Sequence, residues 1–317
     1  MIILYLLIFI ISFIALALSS SWLVDHLNRL AKFWGLKEFV VAFFTMALAG
    51  TIPNFSVGIS SVIHGIPELS FSEIVGGNIV DLTIAVALVV LISKGGLNLP
   101  SRAVQGSAVF TLIIAILPLL LILDGGLTRI DGLVLIFAFI LYVVWLFNKK
   151  ERFSKTYNHV TGSMGFRDIV KSVITLLIAI ALLLVAAEGI VRSATYFSTF
   201  LNLPLVLIGI LIVGLGNALP EIFFGIQAAR KGQSWMVVGN LMGAVIFPAT
   251  LVLGLVALAS PIEITDFSPF VIGRFFLMIS AVFFLLFMRT GRKITRNEAW
   301  FLLLLYFIFI LAEVLFI

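Results

Sequence analysis

The chain has 317 residues and a formal net charge of +5; 62% of its residues are apolar, only 11% are charged and none is cysteine. Soluble domains carry about a quarter charged residues, so a soluble globular protein is excluded, as are disulfide frameworks, thiolate metal sites and cysteine nucleophiles. The positive balance does not point to nucleic acid; it reflects basic loops gathered on one side of a membrane.

Apolar runs of about 20 residues recur from end to end, each long enough to cross a bilayer as a helix. They do not alternate polar with apolar, which excludes a barrel. Ten spans are predicted, at 1–19, 39–64, 72–93, 105–123, 131–148, 169–188, 203–229, 235–259, 270–288 and 299–316. The first lacks a basic leader and runs into Ser19, Ser20, Ser21 and Trp22, so it is expected to remain as an uncleaved span. Spans 2 and 7 carry Pro53 and Pro220 in their interiors. The basic stretch 148–171 is too short to fold alone and reads as a linker between halves, so the expected division is 1–148, 149–168 and 169–317.

The two halves repeat. Shifted by 167 positions, residues 47–91 align without a gap on residues 214–258, and Pro53, Gly58, Gly65, Gly76 and Thr83 recur as Pro220, Gly225, Gly232, Gly243 and Thr250. A unit of five spans has odd parity, so its second copy enters the membrane from the opposite face. The expected fold is an all-α polytopic membrane protein of ten transmembrane helices in two inverted five-helix repeats, with broken helices 2 and 7. Matched breaks of this kind mark the midplane binding site of a secondary transporter. If the linker is cytoplasmic, all of the 20 Lys and Arg except Arg129, Arg192 and Arg274 fall inside, which puts both termini outside.

Acids within apolar spans cost several kcal/mol and are kept where they face a partner or a wet cavity. Span 7 places Glu221 beside Gly214, Gly216, Asn217 and Pro220. Pro220 has no N–H to give, so the carbonyl near Gly216 is freed next to a carboxylate. Such hard oxygens suit Na⁺ or Ca²⁺. Span 2 repeats the device at Ala49, Gly50, Thr51 and Pro53, with neutral Asn54 where the second copy has Glu221. Span 3 sets Glu73, Gly77, Asn78 and Asp81 within about 140° of helical arc. Span 8 answers with Asn240, Gly243 and Pro248, but Ala244 and Val245 stand opposite Gly77 and Asn78. Glu188 is expected to pair with Arg192 at the outer boundary, Glu313 to snorkel from a helix end, and His64 to lie at the interface. No HExxH, GxGD or phosphate-loop motif occurs, so no enzymatic activity and no cofactor is expected.

GNALPE at 216–221, followed by GNLMGAVIFP at 239–248, resembles the second α-repeat of the calcium:cation antiporter superfamily, which includes sodium/calcium exchangers. AGTIPN at 49–54 and SEIVGGNIVD at 72–81 resemble the first. The similarity extends through GLKEFVVAFF (35–44), NLPLVLIGIL (202–211) and AAEGIVRSA (186–194). By position, the resemblance makes Glu221 the cation-binding Glu of the second repeat. It matches Thr51, Asn78, Asn240 and Asp81 to further site residues. Departures are Asn54 in place of Glu, Glu73 in place of Asn, Ala218 in place of Ser, and Val245 and Pro248 in place of polar residues. The implied activity is antiport of Ca²⁺ or a related cation against Na⁺ or H⁺ by alternating access. Spans 2, 3, 7 and 8 form the core and spans 1 and 6 move across it. The expected ligands are Glu221, Asp81, Glu73, Asn54, Thr51, Asn78, Asn240 and Asn217. The expected partners are inorganic cations and membrane lipid, and the expected location is the cell membrane. Two alternatives remain open: a carrier in which one carboxylate exchanges a proton for a cation, and a degenerate, non-transporting paralogue that binds a partner or lipid.

Overall fold

The computed structural model describes residues 1–33, 38–93, 95–98, 102–148, 166–230, 234–264, 268–289 and 293–315. Most of the basic linker therefore lies outside the described residues. Ten helices follow in chain order: α1 (Ile2–Phe33), α2 (Glu38–Ile63), α3 (Glu68–Ile92), α4 (Arg102–Leu121), α5 (Arg129–Asn148), α6 (Phe166–Leu201), α7 (Leu205–Arg230), α8 (Ser234–Phe247, continued through Pro248–Val252 to Leu253–Ala259), α9 (Ser268–Arg289) and α10 (Arg296–Leu315). All ten predicted spans fall on them.

Helices α1 and α6 run well past the spans expected from hydropathy, to 32 and 36 residues. At about 1.5 Å per residue each is about 50 Å long, more than the hydrocarbon core needs. The polar residues at their ends do not stop them because the hydroxyls bond back along the helix. Ser21 Oγ donates to the Ala17 carbonyl at 3.0 Å and Thr195 Oγ1 to the Val191 carbonyl at 2.9 Å.

Details beyond the sequence identity follow the same shift of 167. A wider, π-helical turn interrupts α3 at Asp81–Ala85 and α8 at Pro248–Val252. Thr83 donates to the Ile79 carbonyl in one, and Thr250 donates to the Ile246 carbonyl at 2.5 Å in the other. Helix α5 opens with Thr128 Oγ1 bonded to Asp131 Oδ2 at 2.6 Å, and α10 with Thr295 Oγ1 bonded to Glu298 Oε2 at 2.7 Å. Both are capping boxes.

Two short antiparallel ladders join the halves: β1 (Leu97–Asn98) pairs with β4 (Lys293–Ile294), and β2 (Gly126–Leu127) with β3 (Ile262–Glu263). The first links the α3–α4 and α9–α10 loops, the second the α4–α5 and α8–α9 loops. Exchanging the two halves turns one ladder into the other, and the two lie at opposite ends of the helices. This is the signature of an inverted repeat.

Pro53 and Pro220 sit inside helices that stay wound on both sides. The breaks in helices 2 and 7 are therefore lost hydrogen bonds rather than unwound segments. Proline removes a donor, but neighbouring helices hold the turn. In α7 the departure from α geometry lies earlier, at Gly209–Val213. That turn is where α3 and α7 meet backbone to backbone. A side chain on Gly76 would strike the Ile210 carbonyl, and one on Gly214 would strike Gly77 and the Glu73 carbonyl. Only glycine permits this approach.

The apolar interior divides in two. One cluster joins α3, α4, α5, α7, α8, α9 and α10. The other holds Phe9 and Leu16 of α1 and Ala179–Phe197 of α6 against single residues such as Val57, Leu69 and Val213. Helices α1 and α6 pack along each other and expose Leu4, Leu7, Ile11, Leu177 and Val185 outward, as lipid-facing helices do.

Candidate functional site

All eight residues expected to bind a cation are buried. Between α2, α3, α7 and α8 lies a small cavity of about 10 Å³, on the order of one water. Its polar lining is Asn54, Asn78, Asp81, Asn217 and Glu221. Ile74, Gly77, Ala218, Ala244 and Pro248 complete it. On α8, Val245 stands opposite Asn78 and Pro248 opposite Asp81, so the polar lining is asymmetric.

Glu73 is adjacent rather than in the lining. Asn217 Nδ2 donates to Glu73 Oε2, and lies 3.3 Å from Asn54 Oδ1. Asn240 donates from Nδ2 to the Glu221 backbone carbonyl at 3.1 Å, fixing α8 against α7 beside the carboxylate. Thr51 is buried about one turn before Asn54 on α2.

Four oxygens here are buried without a hydrogen-bond partner: Glu73 Oε1, Asp81 Oδ1, Asn217 Oδ1 and Glu221 Oε2. Buried polar atoms are nearly always paired. Four orphaned carboxylate and amide oxygens in one region offer the chemistry that hard cations prefer. Among the described residues no three His, Cys, Asp or Glu side chains form a metal cluster. The reason is axial. Glu73 and Asp81 share one face of α3, but eight residues separate them by about 12 Å along the helix. Asp81 and Glu221 therefore share the cavity, and Glu73 stands apart from Asp81 beside Asn217.

Helix α1 reaches the site through Phe13, whose ring lies against Gly216, the residue four before Pro220. The chain therefore places an aromatic ring over the turn that the proline frees. Hydropathy alone gave no sign of this contact.

Glu188 pairs with Arg192, whose Nε donates to Oε1 at 2.5 Å, as expected from their spacing. It also ties α6 to the end of α2. Ser60 Oγ donates to Oε2 at 3.1 Å, and His64 Nε2 is 3.1 Å from Oε1. Glu313 departs from expectation. Instead of snorkelling it is 2% exposed, lies beside Gly273 of α9 and leaves Oε1 without a partner. Position near a helix end does not bring a side chain to the interface when that face packs on α3 and α9.

Two inverted five-helix repeats around buried carboxylate and amide oxygens define a secondary transporter for a hard cation. The chain belongs to the sodium/calcium exchanger protein family, whose model matches residues 4–148 and 171–315. It is an integral membrane protein of a transporter family. The sodium/calcium exchanger MaX1 of Methanosarcina acetivorans is 24% identical, with 96% of this chain and 97% of that protein covered. Inner membrane protein YrbG of Escherichia coli is 25% identical over 87% of this chain and 86% of its own length. Solved structures of the sodium-calcium exchanger NCX_Mj soaked with Na⁺ and Sr²⁺ superpose with a TM-score of 0.65 at 25% identity, covering 98% of each chain.

Proposed function

We propose that the chain exchanges Ca²⁺ against Na⁺ across the membrane by alternating access. The supporting observation is the set of four orphaned acceptor oxygens on Glu73, Asp81, Asn217 and Glu221. A dication entering this region needs negative charge and oxygen ligands to replace its hydration shell. Asp81 and Glu221 supply the charge at the cavity. Asn54, Asn78 and Asn217 supply neutral oxygens, and Thr51 and Asn240 support α2 and α7 around them. The same oxygens serve Na⁺, so the two ions compete for one set of ligands.

Alternation uses the division of the apolar interior. Helices α1 and α6 form one body, and the two ladders tie the loops of α3, α4, α5, α8, α9 and α10 into the other. Phe13 then covers or uncovers Gly216 as α1 shifts. Charge asymmetry supports placing the 149–168 linker in the cytoplasm between halves 1–148 and 169–317, with both termini outside the cell membrane. Three buried acids gathered at α3 and α7, where each costs several kcal/mol, weigh against a degenerate, non-transporting protein.

The test is uptake of radioactive Ca²⁺ into proteoliposomes, with Na⁺ and pH gradients imposed separately. Uptake driven by an outward Na⁺ gradient and absent without it is expected. Uptake driven by a pH gradient alone would replace Na⁺ with H⁺ as the coupling ion, and no uptake under either would sink the antiport reading.

A further inference from the structure

We propose that the first repeat has exchanged the acid and the amide of its half-site: Glu73 on α3 does for the first half what Glu221 on α7 does for the second, and Asn54 takes the place of its amide. The inference rests on the cation-binding reading of the site above.

The shift of 167 pairs position 54 with Glu221 and position 73 with Asn240. The second repeat has its acid on α7 and its amide on α8. The first has its amide on α2 and its acid on α3. Each half thus carries one Glu and one Asn at these two positions, in opposite order. The two positions also meet in space in both halves. In the second, Asn240 Nδ2 donates to the Glu221 carbonyl at 3.1 Å. In the first, one amide serves both: Asn217 Nδ2 donates to Glu73 Oε2 and lies 3.3 Å from Asn54 Oδ1. Moving the carboxylate between 54 and 73 therefore shifts charge only from one side of an NH₂ group to the other.

Asn217 is itself part of the exchange. Its counterpart in the first repeat is Gly50, so only this half-site has such a bridge. The bridge holds Oε2 and leaves Oε1 of a fully buried carboxylate unpartnered. No ion pair found among the described residues involves Glu73. A packing role would be met by an amide, as Asn240 meets it, without the burden of burying a carboxylate. The carboxylate keeps Oε1 open, the amide that holds its other oxygen keeps Asn217 Oδ1 open as well, and Glu73 is thereby a cation ligand. The first repeat then presents both its acids, Glu73 and Asp81, from α3, about 12 Å apart along the axis.

The experiment is a charge-relocation series in the full-length protein: Glu73→Gln, Glu73→Asn, and the double variant Asn54→Glu with Glu73→Asn, which copies the second repeat's order. Two readouts are taken: Na⁺-driven uptake of radioactive Ca²⁺, and the upward shift of Tm in detergent on adding Ca²⁺ or Na⁺. Each single variant should weaken apparent Ca²⁺ affinity about tenfold or more, and the double variant should return to within about threefold of wild type, as coupled positions do. Glu73→Gln with wild-type affinity overturns the inference. So does a folded double variant no better than Glu73→Asn, or a double variant that does not fold. A wild-type protein that shows the cation-induced Tm shift, with the same rescue, but takes up no Ca²⁺ would sink antiport and keep the exchange. Uptake without rescue would do the reverse, and the absence of both uptake and Tm shift in the wild type would overturn both.

Discussion

Replacing Glu221 by Gln keeps the side chain's shape and removes its charge. Glu221 is 3% exposed, lines the cavity and has Oε2 unpartnered. At an oxygen–cation distance of about 2.4 Å and an effective dielectric of about 20, one carboxylate charge attracts a dication by about 14 kcal/mol. Most of this only offsets the hydration that the ion gives up on entering the site. Removing one partner of a buried charge pair leaves a net loss of about 2–4 kcal/mol, or about 30- to 700-fold in affinity. The amide also turns an N–H toward the place a cation would occupy, or else leaves it unsatisfied. Without cations the variant should melt no lower than wild type, because the burial penalty of the charge has gone. Added Ca²⁺ should then raise Tm less than in wild type, and Ca²⁺ uptake should fall to background. A folded Glu221→Gln protein with wild-type uptake and affinity would refute the assignment of this carboxylate to the site.

Gly76→Ala should destabilise the protein by about 2 kcal/mol or more, since its Cβ meets the Ile210 backbone rather than a side chain that can turn away; a Tm in detergent equal to wild type would contradict the backbone contact between α3 and α7. Thr128→Ala and Thr295→Ala should each cost about 1 kcal/mol through loss of a capping box, and thermal melts giving very different losses would argue against the equivalence of α5 and α10. Because the chain lacks cysteine, single cysteines report topology cleanly. Glu263→Cys, in the β2–β3 ladder, should react with an impermeant maleimide on intact cells, whereas Arg296→Cys, beyond the β1–β4 ladder, should react only after permeabilisation; the opposite pattern would invert the orientation.

The spans, their number and the repeat were legible in the sequence because each depends on neighbours along the chain. A run of apolar residues suits a bilayer whatever packs beside it. Pro53 and Pro220 lie in matching registers, and the acids inside apolar spans identify themselves by what they cost there. The π-helical turns at Asp81 and Pro248 fall inside the aligned stretch and the capping boxes at Thr128 and Thr295 outside it, on the same register, although residue identity does not report the width of a turn. Which polar groups meet was decided only by the tertiary structure. Asn217 touches a carboxylate 144 positions away, and no periodicity encodes that distance. Angular position put Glu73 and Asp81 on one face, but their separation along α3 and the course of α7 beside it decide that they serve different places. Glu313 looked like a helix-end residue, and the packing of α10 buried it. Composition and pattern fix how much of a chain enters a membrane, whereas the partner of each buried polar atom is set by helices that approach one another only after the chain has crossed many times.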